Sequence, residues 1–203
     1  MEIFSYKTIK HQSRGDYKEK GSHFVAKAYP VTEIAEIKVI LEGIRKENHE
    51  ARHHCYAYML GNERITWRIN DDGEPSGTAG RPILGQINSY GLTNILIVVS
   101  RYFGGTLLGV SGLINAYKLA AASAIEHSEI IEETIHDFYE ITFPYTSMNQ
   151  VMKILKEEEI KHSANAIDLT CNMQLSFVVS KREKILKRFE RIEGVKWQYI
   201  KTR

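Results

Sequence analysis

Cysteine is scarce in this chain. Cys55 and Cys171 are the only two, one in each half. Two distant cysteines supply no disulfide framework and no Cys-x-x-Cys metal or redox motif. Long apolar runs are missing too. The stretch Ile95 to Val99 is far short of the roughly 20 apolar residues a membrane span needs. The N-terminus, Met1-Glu2-Ile3-Phe4-Ser5-Tyr6-Lys7, has no apolar segment of the secretory kind, so a cytoplasmic protein is expected. No Gly-x-x-x-x-Gly-Lys-Ser/Thr loop and no Gly-x-Ser-x-Gly elbow is present, which removes P-loop phosphate binding and the usual serine nucleophile. There is no internal repeat and no low-complexity tract. Neither sign of charge dominates: the net charge is +2. Residues 1–137 carry 15 Lys/Arg and 17 Asp/Glu, whereas residues 138–203 carry 12 and 8. The basic excess therefore sits in the C-terminal part, a modest hint of a polyanionic partner.

What the chain does have is concentrated between Asn70 and Tyr117. Asp71-Asp72-Gly73-Glu74-Pro75-Ser76-Gly77-Thr78-Ala79-Gly80-Arg81 precedes a helical stretch. Ile95 to Ser100 then reads as a strand buried on both faces, followed by Arg101-Tyr102-Phe103-Gly104-Gly105 and a second helix from about Ser111. Glycines give the main chain conformations closed to other residues, and helix starts present unpaired N–H groups that favour anions. Asp71, Asp72, Glu74, Thr78, Arg81, Arg101, Gly104 and Gly105 are the candidate ligand- or anion-binding residues, expected around one concavity. Asp71, Asp72 and Glu74 offer the hard oxygen ligands that suit Mg²⁺. Alternatively, Asp-Asp-Gly merely forms a turn, and Arg101 pairs with an aspartate such as Asp72. His53 and Cys55 lie on one face of a strand, but no second ligand pair accompanies them in sequence, so a zinc site is not expected. The Tyr102-Phe103 pair either stacks on a base or packs beneath the sheet.

The remaining pattern predicts two strands, 5–12 and 17–29, around a turn at Ser13-Arg14-Gly15-Asp16, then a helix with Thr32 as its N-cap. A strand pair follows around Gly61-Asn62, and helices at 81–90 and 111–127 flank the apolar strand. Residues 130–135 are strand or linker. The pattern then restarts as strand 138–143, helix 146–158, strands 160–169 and 171–179, helix 181–191 and strand 195–200, the β-α-β-β-α-β order of ferredoxin-like domains. Two domains are expected, 1–135 and 138–203, in an α+β fold. In the last helix Lys181, Lys184, Arg188 and Arg191 share one face, a candidate nucleic-acid surface or an ordinary solvated face.

Residues 71–80, together with Val98-Val99-Ser100-Arg101-Tyr102-Phe103-Gly104-Gly105, Gly112-Leu113-Ile114-Asn115-Ala116-Tyr117, Gly21-Ser22-His23-Phe24 and Ala51 to Tyr58, resemble the IMPACT family. His23 stands where that pattern has Arg or Lys, and Val110-Ser111 where it has Thr-Gly. The resemblance implies a first domain similar to domain IV of elongation factor G and to the second domain of small-subunit ribosomal protein five. It also implies a second domain similar to the last domain of elongation factor G. A non-enzymatic binding or regulatory role around translation follows as the expected function, with RNA, the ribosome or a protein as partner. The alternatives are an enzyme on a phosphorylated or nucleotide substrate, with the acidic run on a metal and Arg81 and Arg101 on phosphate, or a protein–protein scaffold.

Overall fold

The computed structural model describes residues 4–166 and 169–203. Within these the chain forms two compact units, residues 6–133 and residues 134–203 together with residues 4–5. In the first unit five antiparallel strands are ordered β2-β3-β6-β4-β5. Here β2 is Ser13–Glu19, β3 Ser22–Pro30, β4 His53–Leu60, β5 Thr66–Asn70 and β6 Ile95–Tyr102. A short strand, β1 (Ser5–Ile9), pairs separately with β7 (Ile130–Thr134), so the acidic stretch is strand, not linker.

The central strand β6 carries the architecture. Ile95, Ile97 and Val99 pack with α2 (Gly80–Ser89) and α3 (Gly109–Glu126), while Leu96 and Val98 pack on the opposite face with α1 (Ile34–Glu47). Helices on both sides explain why this strand is uniformly apolar instead of alternating. Alanine makes α3 thin where it meets the sheet: Ala116, Ala120, Ala121 and Ala124 are fully buried. At Gly15 an added Cβ would stand 2.2 Å from the Ala124 backbone nitrogen. Ser13 Oγ donates to the Ala124 carbonyl beside it, at 2.7 Å. The expected turn at Ser13–Asp16 is therefore strand, and Gly15 is glycine because a helix lies directly on it. The turn falls instead at Lys20-Gly21, both with positive φ (45° and 79°), as tight hairpins require. Likewise α1 begins at Ile34, with the Glu36 carboxylate accepting from the amides of Thr32 and Glu33, so Thr32 lies outside the cap position.

In the second unit β8 (His136–Pro144), α4 (Met148–Glu157), β9 (Lys161–Ala166), β10 (Thr170–Val178), α5 (Arg182–Phe189) and β11 (Lys196–Thr202) give a four-stranded sheet ordered β11-β8-β10-β9. Strand β8 alternates, burying Tyr139, Ile141 and Phe143 with Val151, Leu155, Ile185 and Phe189 of the helices. The strand expected to run to Leu169 crosses residues 167 and 168, which lie outside the described residues. Among the described residues no helix is long and apolar enough to cross a membrane.

Candidate ligand-binding site

The acidic loop is held by its own side chains. Asp71 accepts three main-chain N–H groups, from Gly77 (2.9 Å), Ala79 (3.0 Å) and Gly80 (2.8 Å), and so fastens the loop to the first turn of α2. Burial alone would raise its carboxyl; the amides of Gly77, Gly80 and Ala79, with Arg81 nearby, outweigh it and hold the group below its usual range. Asn70 Oδ1 accepts the Asp72 amide at 2.7 Å, and Asp72 and Gly73 both take positive φ. Thr78, nearly fully buried, donates its hydroxyl to the Pro75 carbonyl at 2.6 Å. Arg81 is exposed and lies over Gly77.

Asp72 turns the other way. One carboxylate oxygen accepts the His54 amide at 2.7 Å and the other lies 3.4 Å from Arg45. Its carbonyl accepts from His53 Nδ1 at 2.8 Å; since a carbonyl only accepts, Nδ1 carries a proton. Cys55 Sγ donates to the Asp71 carbonyl at 3.0 Å. His53 and Cys55 thus meet the same loop, each tied to one of its carbonyls. Burial raises the Cys55 thiol well above its ordinary range, so it stays protonated and inert.

Glu74 is the buried member of the run. Its Oε1 accepts Arg101 Nη1 at 2.6 Å and the Tyr117 hydroxyl at 2.9 Å, with the Glu74 and Arg101 side chains 4% and 6% exposed. The partner of Arg101 is therefore Glu74, not Asp72, because Asp72 points to the edge of β4 and to Arg45. Tyr117, from the alanine-rich helix, closes one of the family-like stretches but was not among the candidate site residues. The three carboxylates of the run are committed to three separate sets of donors. Among the described residues no group of three or more His, Cys, Asp or Glu side chains comes together as a metal site.

Beside this network opens a cavity of about 350 Å³ lined by Arg52, His53, Glu74, Pro75, Arg101, Phe103, Leu107, Leu108, Gly109, Val110 and Leu113. Of the expected site residues, Glu74 and Arg101 reach it; Asp71, Asp72, Thr78, Arg81, Gly104 and Gly105 do not line it. Gly104 has a different reason to be glycine: a Cβ there would stand 1.9 Å from the Gly21 carbonyl carbon. Gly105 takes φ +85°. Phe103 is partly exposed and lies near two guanidinium groups, Arg52 at 5.2 Å and Arg101 at 5.6 Å from the ring centroid. Tyr102 is half-buried and donates to Asn48 at 2.9 Å. Leu107 (82% exposed) and Val110 (59%) leave an apolar rim open to solvent. Sequence reading missed Arg52, Leu107 and Leu108; the apolar pair after Gly-Gly-Thr was the available signal.

The basic helix is less free than its sequence suggests. Lys184 and Arg188 pair with Glu158 at 2.8 Å each, Arg188 also bonds Glu157, and Lys181 donates to the Glu158 carbonyl at 3.1 Å. Lys184, Arg188 and burial act together on Glu158, and the two cations prevail, holding its carboxyl below the usual range. Of the four expected nucleic-acid contacts only Arg191 has no such partner among the described residues, because Glu157 and Glu158 at the end of α4 engage the others, Lys184 and Arg188 through carboxylates and Lys181 through a carbonyl.

A family model for the Impact N-terminal domain matches residues 20–125. IMPACT family member YvyE of Bacillus subtilis (strain 168) is 32% identical over 168 residues, spanning 80% of this chain and 77% of that protein. An IMPACT family member of Thermus thermophilus is 35% identical over 142 residues, 69% of this chain and 75% of that one. This chain belongs to the IMPACT family. A solved structure titled only as a hypothetical protein is similar throughout, with a TM-score of 0.76 at 26% identity over 98% of this chain and 99% of that one.

Proposed function

We propose that this protein is a non-enzymatic binding and regulatory protein acting at the translation apparatus, and that it engages RNA, the ribosome or a translation factor through the face around the cavity. One observation carries the binding reading. The acidic groups of the glycine-rich stretch are spent on internal donors, while the cationic and apolar groups beside them, Arg52, Phe103, Leu107 and Val110, remain open. A metal-dependent enzyme would need those carboxylates free to converge on a cation. The association with translation rests on family membership and on the domain likenesses that the family implies. The β11-β8-β10-β9 order supports a ferredoxin-like reading of residues 138–203.

The test is co-sedimentation with purified ribosomes across a salt series, beside a screen for Mg²⁺-dependent phosphoester hydrolysis. Salt-sensitive association without hydrolysis supports the proposal. Metal-dependent turnover, or no association at low salt, overturns it.

A further inference from the structure

Arg101 is nearly fully buried, yet its side chain has one hydrogen-bond acceptor among the described residues, Glu74. A guanidinium carries five N–H donors, and the Nε of Arg101 is buried without any partner. Under-satisfied buried donors are uncommon in folded proteins and call for an explanation. Here the residue forms part of the wall of the cavity, which Leu107, Leu108, Val110 and Leu113 also line. Glu74 already offsets the charge of Arg101, so the remaining cation at the cavity is Arg52, which is exposed and held near Phe103. One uncompensated positive charge beside a mostly apolar wall suits a monoanion with an apolar body. A polyphosphate, whose repeated charges need repeated cations, does not fit inside the cavity itself.

We infer that this cavity binds a carboxylate carried on an apolar chain, the oxygens meeting Arg101 and Arg52 and the chain lying on Leu107, Leu108, Val110 and Leu113. Arginine is suited to this because its planar fork matches a carboxylate. The volume accommodates one large aliphatic or aromatic side chain with its carboxylate, not an extended polymer. The same chemistry is found in a free carboxylic acid and in the C-terminal residue of a polypeptide. The inference deepens the binding reading and rests on it, but its test involves no ribosome, so the two fail separately.

The probes are N-acetyl-L-leucine, its uncharged amide N-acetyl-L-leucinamide, and the tripeptide acetyl-Gly-Gly-Leu with a free C-terminus, titrated into the full chain and followed by amide NMR. The acid shifts the amides of Phe103 and of residues 107–113 in a saturable way. The uncharged amide binds at least about tenfold more weakly, as expected for loss of a charge-assisted hydrogen bond. Arg52→Ala and Leu107→Ser, both at exposed positions and so compatible with folding, each weaken the acid severalfold. Tighter binding of the tripeptide than of the acid assigns the site to a polypeptide C-terminus, and the reverse order to a free acid. Equal binding of acid and amide, no shift at these residues, or indifference to Arg52→Ala overturns the inference.

Discussion

Replacing Glu74 by Gln tests how much the buried network holds the first unit together. The change keeps the shape of the side chain and removes its charge. Arg101, whose side chain is 6% exposed, then carries a positive charge with only a neutral acceptor, and Tyr117 keeps a bond to the same amide oxygen. Breaking a buried ion pair by disabling one partner costs about 3–5 kcal/mol, mostly the penalty of the charge left behind. At roughly 3–4 °C per kcal/mol for a unit of this size, the midpoint falls by about 10–20 °C. Urea unfolding measured by tryptophan fluorescence in a Trp197→Phe background isolates the effect, because Trp67 then remains the only tryptophan. The double variant Glu74→Leu with Arg101→Met removes both charges and recovers a large part of the loss, since an apolar pair of similar volume is often neutral or stabilising. A loss below about 1 kcal/mol for Glu74→Gln, or a double variant no better than the single one, refutes the reasoning and makes the pair energetically incidental.

Three other outcomes are expected. Gly15→Ala lowers stability by about 2–3 kcal/mol, because the new methyl meets the backbone of α3 at Ala124 and cannot be relieved by a side-chain rotation; chemical denaturation measures it. Reversing Lys184 and Arg188 to Glu destabilises the second unit by about 1–3 kcal/mol through loss of their pairs to Glu158, and leaves the salt slope of any ribosome association unchanged. His54 is buried against Ser100, and burial, partly opposed by Asp72, lowers its pKa below the ordinary 6.5. The unfolded chain therefore takes up its proton first as pH falls, so stability declines as pH drops below about 6.5, and His54→Gln flattens that decline in melting curves between pH 5 and 7.

Much of the architecture was legible because it follows from local pattern. The unbroken apolar run Ile95 to Val99 announces a strand covered on both faces, and the helices α1, α2 and α3 bear that out. The alternation in Phe138 to Phe143 announces a sheet covered on one face. The plain-turn alternative for Asp-Asp-Gly was legible from composition, but that Asp71 fastens the turn to the start of α2 emerges only in the structure. What was not legible depends on which elements meet. Gly15 looks like a turn residue until α3 is placed on it. The choice of Glu74 over Asp72 as partner for Arg101 depends on which way each carboxylate leaves the loop, and Asp72 is claimed by the edge of β4. The four cations of the last helix form a face in sequence, yet Glu157 and Glu158 stand on another element opposite three of them. The cavity draws on residues from Arg52 to Leu113, and Leu107 and Leu108 of its apolar wall lie outside the family-like stretches.

The most direct test of the account compares the wild-type protein with a double variant, Arg52→Glu and Leu107→Asp, in ribosome co-sedimentation at low salt. Both side chains are exposed and make no hydrogen bond among the described residues, so the melting temperature should stay within a few degrees of wild type. The account predicts that the wild type pellets with ribosomes and the variant stays in the supernatant. A folded variant that pellets as fully as wild type contradicts the claim that this face is where the protein acts.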